Sequence, residues 1–190
     1  MTHITAPGHL PANATPAGDG VVIGDGRVTV DAYVDFLCPF CRQFELSASG
    51  ALATLVTDGL ISLVYHPMNF LDAASTTRYS SRAAASAGCA SDGGRFPEYA
   101  HALFVSQPPE GGPGLSDAEL IELGRSVGLP GLAFETCVLR GNYLDWPPYV
   151  TEVATARGVT ATPTVLVDGS PVPADAKMIA AAVAAAAAHL

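Results

Sequence analysis

The stretch DFLCPFCRQFE, residues 35–45, sets two cysteines three positions apart, with a proline between them, after a run that alternates like a β-strand. Within Arg27–Phe36, Val28, Val30, Ala32, Val34 and Phe36 share one face, and Thr29, Asp31, Tyr33 and Asp35 share the other. Pro39 suits the first position of a helix, where its missing N–H would be unpaired in any case. Phe40, Phe44, Ala48, Ala51, Leu52 and Leu55 then recur near helical spacing as far as Gly59. The pattern predicts a strand running into a helix with Cys38 at or near its N-cap.

Three chemistries compete for such a pair. A four-cysteine zinc site wants two close pairs, whereas Cys89 and Cys137 lie 48 positions apart with no partner at finger spacing. His66 and His101 stand alone and read as surface or capping residues, so no metal site is expected. A purely structural Cys38–Cys41 bond would close too short a loop to remove much chain entropy. A redox pair fits best. A sulfur at a helix N-terminus faces unpaired N–H groups and the positive end of the macrodipole, and both favour the thiolate. Cys38 is therefore expected to be the reactive, partly exposed sulfur, with Cys41 one turn deeper as the resolving thiol.

Outward from this motif, Val21–Ile23, a Gly-Asp-Gly turn and Arg27–Phe36 predict a hairpin. LISLVY, residues 60–65, predicts a short buried strand ended by His66-Pro67, which completes a strand–helix–strand unit. From Asp72 to about Arg157 the period is helical and broken by Gly/Pro clusters, with four or five short helices expected. Among them Ser116–Glu119 forms a capping box that opens a helix through about Val127. After Gly158, Thr164–Val167 reads as a strand, Asp168-Gly169 as a hairpin turn, Val172 as part of an edge strand and the Ala-rich end as a helix. The division expected is a flexible N-terminal tail over 1–20, an α/β domain over 21–71 and 158–190, and an all-helical insertion over 72–157.

The 190 residues are 49% hydrophobic and 14% charged, and the net charge is −9. This acidic balance and the lack of a basic stripe exclude a phosphate-tracking nucleic-acid binder. No apolar run reaches the ~20 residues of a membrane span. Residues 1–20 lack the positive and apolar regions of a secretory leader. The expected location is therefore cytoplasmic, or extracytoplasmic if a leader precedes this chain.

DFLCPFCRQFE, followed over a hundred residues later by GVTATPTVLVDG (158–169), resembles the DsbA-like thiol–disulfide oxidoreductases of the thioredoxin-fold superfamily. The C-P-x-C centre, Phe44-Glu45, the Thr162-Pro163 dipeptide opening a late strand and the helical block before it all carry the likeness. The resemblance covers roughly residues 21–190. It implies a thioredoxin fold, a central mixed β-sheet flanked by helices, with a helical insertion. It also implies that Pro163 is cis and faces the Cys38–Cys41 pair, with Thr162 offering its backbone to an extended substrate beside Pro39 and Phe40. Some relatives staple the insertion with a disulfide, so Cys89 and Cys137 are either such a pair or two buried thiols.

Two departures from the family bear on mechanism. Thioredoxins keep a buried acid where this chain has Ala32, so Asp35 and Glu45 become the candidates for proton transfer. The dipeptide between the cysteines is Pro-Phe, not the Pro-His of strongly oxidising relatives, and Phe40 cannot help to hold a thiolate. A less oxidising centre is therefore expected. Met68, Phe70 and Phe40 are candidates for apolar surface beside the site.

The function expected is thiol–disulfide exchange with protein or peptide substrates through a mixed disulfide on Cys38. The chain would act as a monomer with an unidentified recycling partner and no organic cofactor. Two alternatives remain: a non-catalytic peptide-binding module, and a transferase or isomerase acting on small thiols.

Overall fold

The computed structural model describes residues 5–189. Three elements form around the motif: strand β2 (Val28–Val34), helix α1 (Pro39–Thr57) and strand β3 (Ile61–Pro67). Val28, Val30, Ala32 and Val34 are all buried, as the alternation requires. The α1 helix starts at Pro39 with Cys38 as N-cap and ends at Thr57 with Asp58 as C-cap, after which Gly59 takes a positive φ of 67°. β3 then returns parallel to β2, with Val30 opposite Leu63.

The predicted hairpin does not form. β1 (Val21–Ile23) pairs antiparallel with β3, and the sheet order is β1-β3-β2-β4-β5, where β4 is Thr164–Val167 and β5 is Ser170–Val172. The glycines after β1 serve a crossing instead of a tight turn. A Cβ on Gly26 would lie 2.2 Å from the Ile61 nitrogen, so only glycine lets the chain pass over the start of β3. β4 pairs antiparallel with β2 and turns through Asp168-Gly169 into β5, as expected. The closing helix α7 (Ala176–Ala187) packs against α1, β4 and β5.

Between β3 and β4 lie a 3-10 turn (Asp72–Ala74) and five helices: α2 (Tyr79–Asp92), α3 (Phe96–Val105), α4 (Asp117–Ser126), α5 (Gly131–Arg140) and α6 (Trp146–Ala156). The α2 helix is the axle of this block. All twelve residues from Tyr79 to Ser91 other than Arg82 are small or aromatic and buried, and α3, α4, α5 and α6 all touch it. Tyr79, Phe96, Tyr99, Phe104 and Trp146 fill the spaces between them. The capping box forms as read: the Ser116 hydroxyl accepts the Glu119 N–H at 3.3 Å, and the Glu119 carboxylate accepts the Ser116 N–H at 2.8 Å.

The N-terminal segment corrects the expectation of a flexible tail. Residues 1–4 lie outside the described residues, but Pro11 and Gly18–Gly20 are buried. The Trp146 indole donates to the Gly18 carbonyl at 2.8 Å, and Tyr149 donates to that of Ala17 at 2.6 Å. Asp19 pairs with Arg157 and accepts the Thr15 hydroxyl at 2.5 Å. His66, read as a surface or capping residue, is instead 2% exposed. Its ring stacks on Tyr33 with centroids 4.2 Å apart and bonds to the Asp19 carbonyl at 2.6 Å and to Asp31 at 2.9 Å. The segment is a strap fastened by buried polar contacts.

Candidate active site

The central strand β2 ends in a tight turn that delivers Cys38. The Cys38 N–H donates to the Asp35 carbonyl at 3.0 Å, and the Asp35 side chain accepts the Leu37 N–H at 2.9 Å. Cys38 then caps α1 with extended backbone, φ −74° and ψ 119°. Both thiols are free, Cys41 fully buried and Cys38 5% exposed, so Cys38 is better covered than the partly exposed sulfur expected. Across from them the Thr162-Pro163 peptide is cis. The Cys38 S–H donates to the Thr162 carbonyl at 3.4 Å, which joins residues 124 positions apart.

The Cys38 thiol is lowered from 9.0 to about 6. The Cys41 thiol beside it is the main cause; the backbone N–H groups of Cys41 and Phe40 and the Thr162 side chain act with it, against the burial that raises it. Burial, first, and then the neighbouring Cys38 push the Cys41 thiol strongly upward. One sulfur thus favours its thiolate near neutral pH while the other keeps its proton.

The two acids read from the sequence have different surroundings. Asp35 has no exposed surface, and its backbone N–H donates to the Cys41 sulfur at 3.5 Å. Its carboxylate also accepts the Leu71 N–H at 2.9 Å and the Ser80 hydroxyl at 2.6 Å, while burial raises its pKa to about 6. Glu45, one turn beyond Cys41, accepts instead from Tyr65 at 3.1 Å and pairs with His101 at 3.2 Å. It faces a groove of about 760 Å³ between α1 and α3 whose lining includes neither Cys38 nor Cys41. His101, expected to stand alone, is its partner there.

Of the apolar candidates, Phe40 is 70% exposed on the first turn of α1, whereas Met68 is fully buried and Phe70 packs against the core. Met68 therefore offers no surface to a substrate. Cys89 and Cys137 form a disulfide with a Cα–Cα distance of 5.9 Å, tying α2 to α5. Among the described residues no group of three or more His, Cys, Asp or Glu side chains is placed to hold a metal ion, and no helix is long and apolar enough to cross a membrane.

Two contacts at the site carry no local sequence signal. The Gln107 carboxamide donates to the carbonyls of Phe36 at 2.9 Å and Cys38 at 3.0 Å. Arg42, next to Cys41, donates through Nε to the Phe104 carbonyl at 3.0 Å. Gln107 sits in a loop after α3, 69 positions from Cys38, where no periodicity or motif marks it.

A mixed five-stranded sheet, a C-x-x-C pair at the N-terminus of the helix after its central strand and a facing cis-proline define a thioredoxin fold, here with a helical insertion. The chain belongs to the thioredoxin family, whose Thioredoxin_4 model matches residues 17–185. It is similar to the reduced form of the disulfide bond oxidoreductase DsbG from Mycobacterium tuberculosis, with 36% identity, a TM-score of 0.72 and coverage of 83% of this chain and 81% of that one. It is similar also to reduced DsbA from the same organism, at 33% identity and a TM-score of 0.74 over 90% of this chain and 98% of that one. MdbA from Actinomyces oris, a thiol-disulfide oxidoreductase, shares the fold at 19% identity and a TM-score of 0.76, over 93% of this chain and 92% of that one. A 34% identity over 132 residues, 65% of this chain, links it to the serine/threonine-protein kinase PknE of M. tuberculosis; the match spans only 23% of that protein.

Proposed function

We propose that this chain is a dithiol–disulfide oxidoreductase that exchanges disulfides with protein thiols, as a monomer, through Cys38. As a reductant, the Cys38 thiolate attacks one sulfur of a substrate disulfide. A mixed disulfide forms and the other substrate sulfur leaves as a thiolate that takes up a proton. Cys41 then gives up its proton and attacks the Cys38 sulfur. The Cys38–Cys41 bond closes, the second substrate thiol departs, and two electrons have passed to the substrate. As an oxidant the same steps run in reverse, and the disulfide itself is the electron carrier.

The observation that carries the reading is the Cys38 thiol, lowered to about 6 and lying against the Thr162 carbonyl beside cis-Pro163. An extended substrate strand would pair with the Thr162 backbone, with Pro39 and Phe40 forming the near wall. Asp35, whose backbone N–H meets the Cys41 sulfur and whose carboxyl feels Cys38, is the first candidate to take the Cys41 proton, and Glu45, held by Tyr65 and His101, the second. Neutral Phe40 supports a less oxidising couple than a histidine there would give. The closed Cys89–Cys137 bond supports work in an oxidising compartment, in place of the cytoplasmic location expected from the sequence.

The test is catalysed exchange with a disulfide-bonded peptide. Cys38→Ser should abolish it, and Cys41→Ser should accumulate a mixed disulfide with the substrate. Peptide affinity that survives in Cys38→Ser, with no exchange by the unaltered protein, would instead establish a non-catalytic binding module. Equilibration with glutathione sets the direction of the couple on a scale from about −270 mV for a reductant to about −120 mV for an oxidant.

A further inference from the structure

The first turn of α1 and the end of α3 hold each other by a reciprocal pair of bonds. From α1, the Arg42 Nε–H reaches the Phe104 carbonyl in the last turn of α3. From just beyond α3, the Gln107 carboxamide reaches back to the Phe36 and Cys38 carbonyls. Phe36 and Phe104 pack between these bonds with centroids 4.9 Å apart.

We propose that Gln107 is a positioning residue for the redox centre, through which the helical insertion sets the reactivity of Cys38. This rests on the oxidoreductase reading above. A carboxamide has two N–H donors, and here each has its own acceptor. The Cys38 carbonyl also accepts the Arg42 N–H at 3.1 Å, so it is the N-cap carbonyl that opens the helix ladder. The Phe36 residue is fully buried, and Gln107 supplies a donor to its carbonyl. Together the two bonds fix both ends of the three-residue approach to the thiol.

The turn fixed in this way is the one in which the Cys38 sulfur meets the Thr162 carbonyl and the backbone of Phe40 and Cys41 favours its thiolate. Without it the Phe36 carbonyl is left buried and unpaired, a situation that the turn relieves by moving. Any such movement shifts the sulfur away from the amides that favour its thiolate. Gln107 touches neither sulfur, so its effect passes entirely through the backbone.

The experiment measures the Cys38 thiol pKa, by the pH dependence of alkylation, and the glutathione equilibrium, on the full chain and on two variants. Gln107→Met keeps the length and lacks donors; Gln107→Asn keeps the donors and loses the reach. In both, the pKa is expected to rise by about one pH unit. The glutathione equilibrium should shift toward the disulfide about tenfold, because a less favoured thiolate destabilises the reduced form. Variants that melt earlier but keep the Cys38 pKa and the equilibrium of the parent would make Gln107 a mere brace and overturn the proposal. An unaltered protein whose Cys38 titrates as a free thiol would instead overturn the oxidoreductase reading, and this proposal with it.

Discussion

Ser80 donates its hydroxyl to Asp35 at 2.6 Å, so a helix of the insertion reaches the carboxylate whose own backbone N–H meets the Cys41 sulfur. Leu37 and Leu71 donate to the same carboxylate from the loops after β2 and β3. One buried acid therefore joins three segments, and its charge has consequences for stability.

Burial raises Asp35 to about 6 from an ordinary 3.8, so the folded protein favours its protonated form. The stability from this group is complete below pH 3.8 and is lost as pH rises through about 6. Asp35→Asn cannot ionise and should lose this dependence. Its destabilisation relative to the parent, from urea melts, should be smaller at pH 7 than at pH 4, by up to about 3 kcal/mol. Equal destabilisation at both values would remove Asp35 from the titrating groups.

Cys38 acts in the opposite sense. Its thiol falls from 9.0 to about 6 on folding, so the stability it supplies is present above pH 9.0 and lost as pH falls through about 6. The disulfide form has no such thiol. Between these limits the reduced protein should gain on the oxidised one with rising pH, by roughly 1.4 kcal/mol per unit at most. Parallel melts of the two forms from pH 6 to pH 9 check this; a constant gap between them would contradict a prepared thiolate.

The Cys89–Cys137 bond closes a sequence separation of 48 and should contribute about 4 kcal/mol by loop closure. Replacing both by alanine should lower the melting temperature and raise amide exchange in α5. The Cys38–Cys41 exchange equilibrium should stay near that of the parent, since the bridge ties α2 to α5 and neither helix carries the Cys38–Cys41 pair.

Gly26→Ala should fold poorly or lose more than about 2 kcal/mol, because its Cβ would meet the Ile61 nitrogen at 2.2 Å. Gly50→Ala, in open space on α1, is the control and should be neutral or slightly stabilising. Equal stability of the two variants would contradict the crossing of the chain over β3.

The motif was legible because its physics is local: alternation into a strand, Pro39 at a helix start, Ser116 and Glu119 three residues apart. The strand order was not, because nothing in Val21–Arg27 records that β3, nearly forty residues later, will slide between its flanking strands. The strap was misread for a similar reason. Its anchors, Trp146, Arg157 and His66, lie far along the chain, and a Pro/Gly-rich segment without periodicity looks free until they are in place. Gln107 shows the limit at the site itself, since a side chain that serves another segment's backbone leaves no pattern in its own.

The strap also changes what the sheet presents to other polypeptides. Along its outer β1 side, Val22 donates to the Asn13 carbonyl at 2.9 Å and Ala14 bridges Val21, so the row of hydrogen-bonding groups is already partly occupied. On the opposite side β5 is three residues long and carries Pro171, which has no N–H to offer. Neither rim invites a further strand, so the sheet is guarded against growing extended chains onto its flanks.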